Sequence, residues 1–192
     1  SSLLTDATAG GSWSSSNPGL ASVGSGTGIV TGNSIGVPNL SYTLATGCYA
    51  IQPVTVNQTP VATTGSSQVC VGSSITLSNA TGGGTWNSSD PSKATVVSGT
   101  GVVTGVASGA VNITYLLSTG CYDVFPLTVN DNPAAIGGPT SVCETANITA
   151  TDITGGGTWS SSDPSLASIV SGSGVITGNS AGFPVISYIV TA

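Results

Sequence analysis

The residues able to do chemistry in this chain are few, and most recur at one spacing. Cys48 and Cys121 lie 73 residues apart, and so do Cys70 and Cys143. Trp13, Trp86 and Trp159 keep the same interval, as do Tyr42, Tyr115 and Tyr188. Two cysteines per period is the composition of a disulfide-bearing module in an oxidising, extracellular setting. The acids are Asp6, Asp90, Asp123, Asp131, Glu144, Asp152 and Asp163, and the single cation is Lys93. There is no histidine. Ser-His-Asp and Cys-His catalysis and imidazole metal sites are therefore excluded.

The remaining polar groups do not assemble a site shared by the copies. Calcium needs roughly six to eight oxygen ligands gathered in space. Asp90 and Asp163 instead align with Asn17, and each precedes a proline, which is turn chemistry. No acid pair recurs in all three copies, so paired-carboxylate hydrolysis is not a property of the repeat. Lys93 aligns with Leu20 and Leu166, so an isopeptide bond is not one either. One cation leaves no phosphate-neutralising surface, which excludes nucleic acid as a partner. The sequons at Asn79, Asn112 and Asn147 arise by chance in a chain this rich in Ser and Thr. No catalytic residue, metal or cofactor is assigned.

An interval repeated without insertion or deletion indicates an array of small modules. Around each tryptophan the text nearly copies itself: AGGSWSSSNPGLAS, GGGTWNSSDPSKAT and GGGTWSSSDPSLAS. The chain of 192 residues then divides into an incomplete repeat over 1–59 lacking its first strand, a complete repeat over 60–132, and an incomplete repeat over 133–192 lacking its last strand. Both ends fall inside repeats, as in a window on a longer chain.

The complete repeat reads as seven short strands: 61–70 broken at Gly65, 73–78, 85–87, 94–97, 102–104, 110–117 and 122–129. Gly82-Gly83-Gly84, Asp90-Pro91, Gly99-Thr100-Gly101 and Thr119-Gly120 supply the turns between them. Apolar residues alternate at period two, as in Val111, Ile113 and Tyr115, and no stretch has helical periodicity with caps. The fold class is all-β: tandem immunoglobulin-like β-sandwiches. In such a sandwich Trp13, Trp86 and Trp159 pack between the sheets, and Tyr42, Tyr115 and Tyr188 face inward on the penultimate strand. Exposed tryptophans stacking on sugar are the alternative.

Charged residues make up 4% of the chain and hydrophobic ones 39%. Disorder requires low hydrophobicity with high net charge, and this patterned chain has neither. No apolar run approaches the roughly 18 residues of a membrane helix.

The ordered set G-G-T-W-S-S-S-(N/D)-P, A-(S/T)-(V/I), G-(V/I)-(V/I)-T-G, (I/L)-(S/T)-Y and G-C resembles the bacterial immunoglobulin-like group 2 domains. The likeness is to their Cys-containing version in long repetitive surface and secreted proteins of Bacteroidota-like bacteria. It spans the whole sequence. It implies modules that serve in adhesins, surface layers, phage appendages and spacers of secreted enzymes, and so a cell-surface or secreted location.

Two functions follow. One is a structural segment of a long extracellular filament or adhesin stalk, whose partners are copies of itself along or across the filament. The other is a module binding glycan or a host or cell surface. Three cysteine pairings stay open: Cys70 to Cys121 within a module, Cys48 to Cys70 and Cys121 to Cys143 across boundaries, or a staple between neighbouring modules or chains. Finally, the outer copies agree where the middle one differs: Asn33 and Asn179 against Val106, Pro38 and Pro184 against Val111, Leu20 and Leu166 against Lys93. This suggests modules that alternate to make different lateral contacts.

Overall fold

The computed structural model describes residues 2–190. Every regular element among them is a strand. In chain order these are β1 (Ser2–Leu3), β2 (Gly11–Ser15), β3 (Ala21–Val23), β4 (Ile29–Gly32), β5 (Asn39–Leu44) and β6 (Tyr49–Pro53). There follow β7 (Gln68–Cys70), β8 (Ser74–Thr76), β9 (Gly84–Ser88), β10 (Ala94–Val96), β11 (Val102–Gly105), β12 (Gly109–Leu117) and β13 (Tyr122–Asn130). The last five are β14 (Asn147–Thr149), β15 (Gly157–Ser161), β16 (Ala167–Ile169), β17 (Val175–Gly178) and β18 (Ile186–Val190).

These strands form three two-sheet modules with three separate hydrophobic cores. The middle one holds seven strands, the immunoglobulin-type number. Its sheets are ordered β10-β11-β8 and β7-β13-β12-β9, and β7 alone pairs in parallel. The stretch predicted as one broken strand serves both sheets. Thr64 bridges Ser78 beside β8, and the chain then crosses over at Gly65 to lay β7 along β13. Gly65 has φ of 141°, a conformation that side chains other than glycine rarely adopt.

The period-two pattern explains the layers. On β12, Val111, Ile113 and Tyr115 are buried while Ala110, Asn112 and Leu116 face solvent. Leu77 and Val103 from one sheet meet Trp86, Leu127 and Val129 from the other. Burying each such side chain contributes roughly 1.5–3 kcal/mol, so the ten buried residues of this core are its main source of stability. The third module buries four residues and the first three. The first has sheets β1-β4-β3 and β2-β5-β6, and the third β14-β17-β16 and β15-β18.

Candidate functional site

The recurrent aromatic residues form one constellation, built three times. Register places Trp13 opposite Tyr42, Trp86 opposite Tyr115 and Trp159 opposite Tyr188. Ring centroids lie 4.9, 4.7 and 4.7 Å apart in tilted pairs, a geometry worth about 0.5–1.5 kcal/mol beyond burial. Each tyrosine hydroxyl accepts a 2.9 Å hydrogen bond, from the N–H of Gly11, Gly84 or Gly157. It donates to the carbonyl of Thr8, Thr81 or Thr154. The tyrosine thus clamps the glycine-rich turn that launches the tryptophan strand. The tryptophan edge rests on a backbone glycine, Gly28, Gly101 or Gly174, where an added Cβ would lie within 3.1 Å of the indole nitrogen. Trp86 and Trp159 are buried and Trp13 is half-buried. Tyr115 is buried, and Tyr42 and Tyr188 are half-buried.

The acids tie turns. Asp90 accepts from Ser92 N–H and Oγ, and Asp163 likewise from Ser165. The serine hydroxyl is the largest influence in each case, and it holds both carboxyls below the ordinary aspartate range. Asp123 accepts from Thr63 N–H at 2.7 Å and so fixes the incoming segment of the middle module. Lys93 lies across Gly109 and donates to the Ala110 carbonyl at 3.4 Å. Among the described residues, no three cysteines or acids gather as metal ligands would.

The cysteines sit at opposite ends of a module. Cys48 and Cys121 close the β5–β6 and β12–β13 hairpins, their carbonyls accepting from Leu44 and Leu117 N–H at 2.9 Å. Cys70 ends β7 opposite Asn130, and Cys143 has its carbonyl against Gly178. One expected pairing is thereby corrected. Cys121 precedes Tyr122, and Cys70 faces Asn130 at the far end of the same nine-residue strand. At about 3.3 Å per residue that separates them by roughly 26 Å, whereas a disulfide needs Cα atoms within about 7 Å. Cys70 and Cys121 of one module cannot bond. All four cysteines are free thiols here; Cys48, Cys70 and Cys143 are exposed.

Sequence reasoning missed one feature. Tyr49 and Tyr122 stand at equivalent positions, 68% and 62% exposed, on the outer face beside each hairpin. Ile51 lies beside Tyr49, and Val124 and Leu116 beside Tyr122, all exposed. The signal was available: these positions alternate out of phase with the core residues of the same strand.

Residues 50–122, one full period, match the family described as Bacterial Ig-like domain (group 2). That stretch is a bacterial immunoglobulin-like domain of group 2. The match runs from β6 through β12 because any one-period window of a tandem repeat contains every strand of the unit. No curated protein matches the chain. Among solved structures, domains 4 and 5 of the S-layer protein SbsC are 23% identical, with a TM-score of 0.28, covering 64% of this chain and 70% of that one. The C-terminal 282-residue fragment of intimin, in complex with the intimin-binding domain of its translocated receptor, is 16% identical, with a TM-score of 0.40, over 70% and 56%. Mouse cadherin-23 EC22-24 is 14% identical, with a TM-score of 0.33, over 93% and 79%. This chain spans about half the length of the intimin fragment.

Proposed function

We propose that this chain is a structural segment of a long extracellular bacterial filament or adhesin stalk, with modules over 1–59, 60–132 and 133–192, and that it is not an enzyme. One observation carries the reading. What recurs at 73 residues is the tryptophan, the clamping tyrosine, the bedding glycine and the cysteines, all of which fix architecture, while no acid stands in all three copies, the recurring Asp90 and Asp163 only tie turns, and Lys93 does not recur. The unit is copied for length. Few charges let neighbouring chains lie close, so copies of the chain are its partners.

The cysteines fit this reading as staples between modules. The incoming segment of the middle module is held near the Cys121 hairpin, through Thr63 and Asp123. The outgoing segment is held near Cys70, where Asn132 donates to the Val71 carbonyl at 3.0 Å. In a head-to-tail row, the Cys70-type thiol of one module faces the Cys121-type thiol of the next. Such a bond would contribute roughly 2–4 kcal/mol. Mass mapping of native material under non-reducing and reducing conditions tests the staple, and solution scattering of a multi-repeat piece tests the rod. A compact globule in scattering would rule out the stalk.

The exposed Tyr49 and Tyr122 favour a second reading, a module that binds glycan or another surface through aromatics repeated along the array. Glycan-array binding lost in the Tyr49→Ala, Tyr122→Ala double variant would establish it over the spacer.

A further inference from the structure

The four-stranded sheet of the middle module turns one face to the core and the other to solvent. On the solvent face Tyr122 stands opposite Leu116, and Leu116 opposite Thr85. Val124 and Pro126 continue this apolar column along β13, all of them exposed. Asp123 is the only charged residue in β7, β9, β12 and β13. Alternation sends it to the opposite side, where it accepts from Thr63 N–H. The exposed face therefore carries no charge. The strand edge beside it is blunted. Thr128 N–H donates to the Ser67 carbonyl, and alternation puts the next donor on that side at Pro126, which has no N–H. Strand addition there is disfavoured, and the face is left for contact.

The column is repeated. Tyr49, Ile51 and Pro53 hold the same places on β6, 73 residues earlier, and are exposed as well. A charged partner would find nothing on this face to pair with. A sugar would find little beside Tyr122 except the Thr85 hydroxyl, whereas small-ligand sites are concave and carry several placed polar groups. A second copy of the chain fits better. It brings the same uncharged apolar column, even though the whole chain has a net charge of −6. Whatever turn relates successive modules is the same in every copy, so the columns of two chains keep step.

The area available sets how many modules are needed. Tyr122 is 62% exposed, which leaves its ring on the order of 100–150 Å² to bury. Val124 and Leu116 are 43% and 40% exposed, and they bring the column to roughly 250 Å², against about 800 Å² per partner in a stable interface. One module falls well short, and about three in step reach that size. We propose that this face is the lateral contact between copies of the chain, like face on like face, and that its strength grows with the number of modules in step. The proposal rests on the reading above that copies of the chain are its partners, and it adds the face they use and the dependence on length.

The test is sedimentation equilibrium of the whole 192-residue chain up to millimolar concentration, with reductant present so that cysteines do not cross-link. Two columns give weak, reversible self-association. The Tyr49→Ser, Tyr122→Ser double variant should associate at least about tenfold more weakly, with its tryptophan-detected unfolding unchanged. Ile51→Lys with Val124→Lys should weaken it likewise, by setting charge on the face. Tyr49→Phe with Tyr122→Phe should associate as the parent does, because the ring makes the contact. Raised salt should not weaken the association, since no charge lies in it. Two results would overturn the proposal: no self-association at millimolar chain, or folded Ser and Lys variants that associate as the parent does. An extended chain with the second result refutes this face and leaves the stalk, whereas a compact globule whose association the Ser variant abolishes refutes the stalk and leaves the face.

Discussion

Replacing Asp152 by Asn should stabilise the third module by about 1–3 kcal/mol, the usual cost of a buried polar atom left without a partner. The magnitude comes from comparing Asp152 with Asn79, one period earlier. Asn79 Oδ1 accepts from Thr81 N–H at 3.0 Å, and its Nδ2 donates to the Val61 carbonyl at 2.6 Å. Asp152 Oδ1 accepts from Thr154 N–H at 2.6 Å in the same way. The surrounding frame is also kept, with Ala134 N–H donating to Thr154 Oγ1 as Val61 does to Thr81. The second Asp152 oxygen, however, is buried with no partner. It stands where Asn79, one period earlier, has a donor. The amide restores the donor without changing shape. Each kcal/mol moves the melting temperature of a domain this size by roughly 4–8 °C, so calorimetry at neutral pH resolves the effect. Asn79→Asp should destabilise the middle module by a similar amount. If Asp152→Asn is neutral or destabilising while Asn79→Asp is silent, the reasoning from equivalent positions is wrong.

Three further outcomes follow from the same geometry. Tyr115→Phe keeps the ring against Trp86 but removes bonds to Gly84 and Thr81; urea denaturation should show a loss of about 1–3 kcal/mol, and Tyr188→Phe should act likewise in the third module. Thr145 has φ of 66° where its equivalent, Gly72, has 81°, so Thr145→Gly should relieve about 1 kcal/mol of left-handed strain, read as a raised third-module transition. The hydroxyls of Ser92 and Ser165 favour the charged forms of Asp90 and Asp163, so both carboxyls should titrate in carbon-detected NMR below the unfolded value of about 3.9. Because the folded pKa is the lower one, this contribution to stability is present above the unfolded value and is lost as pH falls through the folded one. Ser92→Ala should raise the Asp90 midpoint and leave that of Asp163 unmoved.

Much of the fold was legible because the same signals were written three times. The turn glycines, the Asp-Pro and Asn-Pro steps and the alternation on β12 specify strands locally, and local rules suffice for that. The crossing of the chain from one sheet to the other at Gly65 was visible only as a break. Which sheet each half joins depends on β13, some sixty residues away in sequence, and no local pattern carries that information. The same holds for the cysteines. Their spacing is compatible with several pairings, and only the placement of Cys70 and Cys121 at opposite ends of β13 removes one. Tyr49 and Tyr122 are hard to read for a different reason: the recurring alternation marks the aromatics of the core, whereas an exposed aromatic surface is made of those out of phase with it.

Two of the differences between the outer modules and the middle one, at positions 20 and 33 and their equivalents, have a cause within a single module. Positions 20 and 33 touch directly, since Asn33 N–H donates to the Leu20 carbonyl at 2.8 Å. The same bond joins Val106 to Lys93 at 2.7 Å and Asn179 to Leu166 at 2.9 Å. In the outer modules the asparagine side chain also donates to the carbonyl of Pro18 or Pro164 at 2.8 Å, and so locks the neighbouring turn. The leucine lies over Gly36 or Gly182. In the middle module Val106 cannot make the side-chain bond, and the stem of Lys93 lies over Gly109 while its ammonium reaches the Ala110 carbonyl. Two residues in contact have therefore changed together. Asn with Leu locks the turn by a hydrogen bond and an apolar cover, and Val with Lys covers the equivalent glycine with a charged chain. Residues that share partners are expected to couple in this way, and the coupling accounts for this pair of differences within a single module.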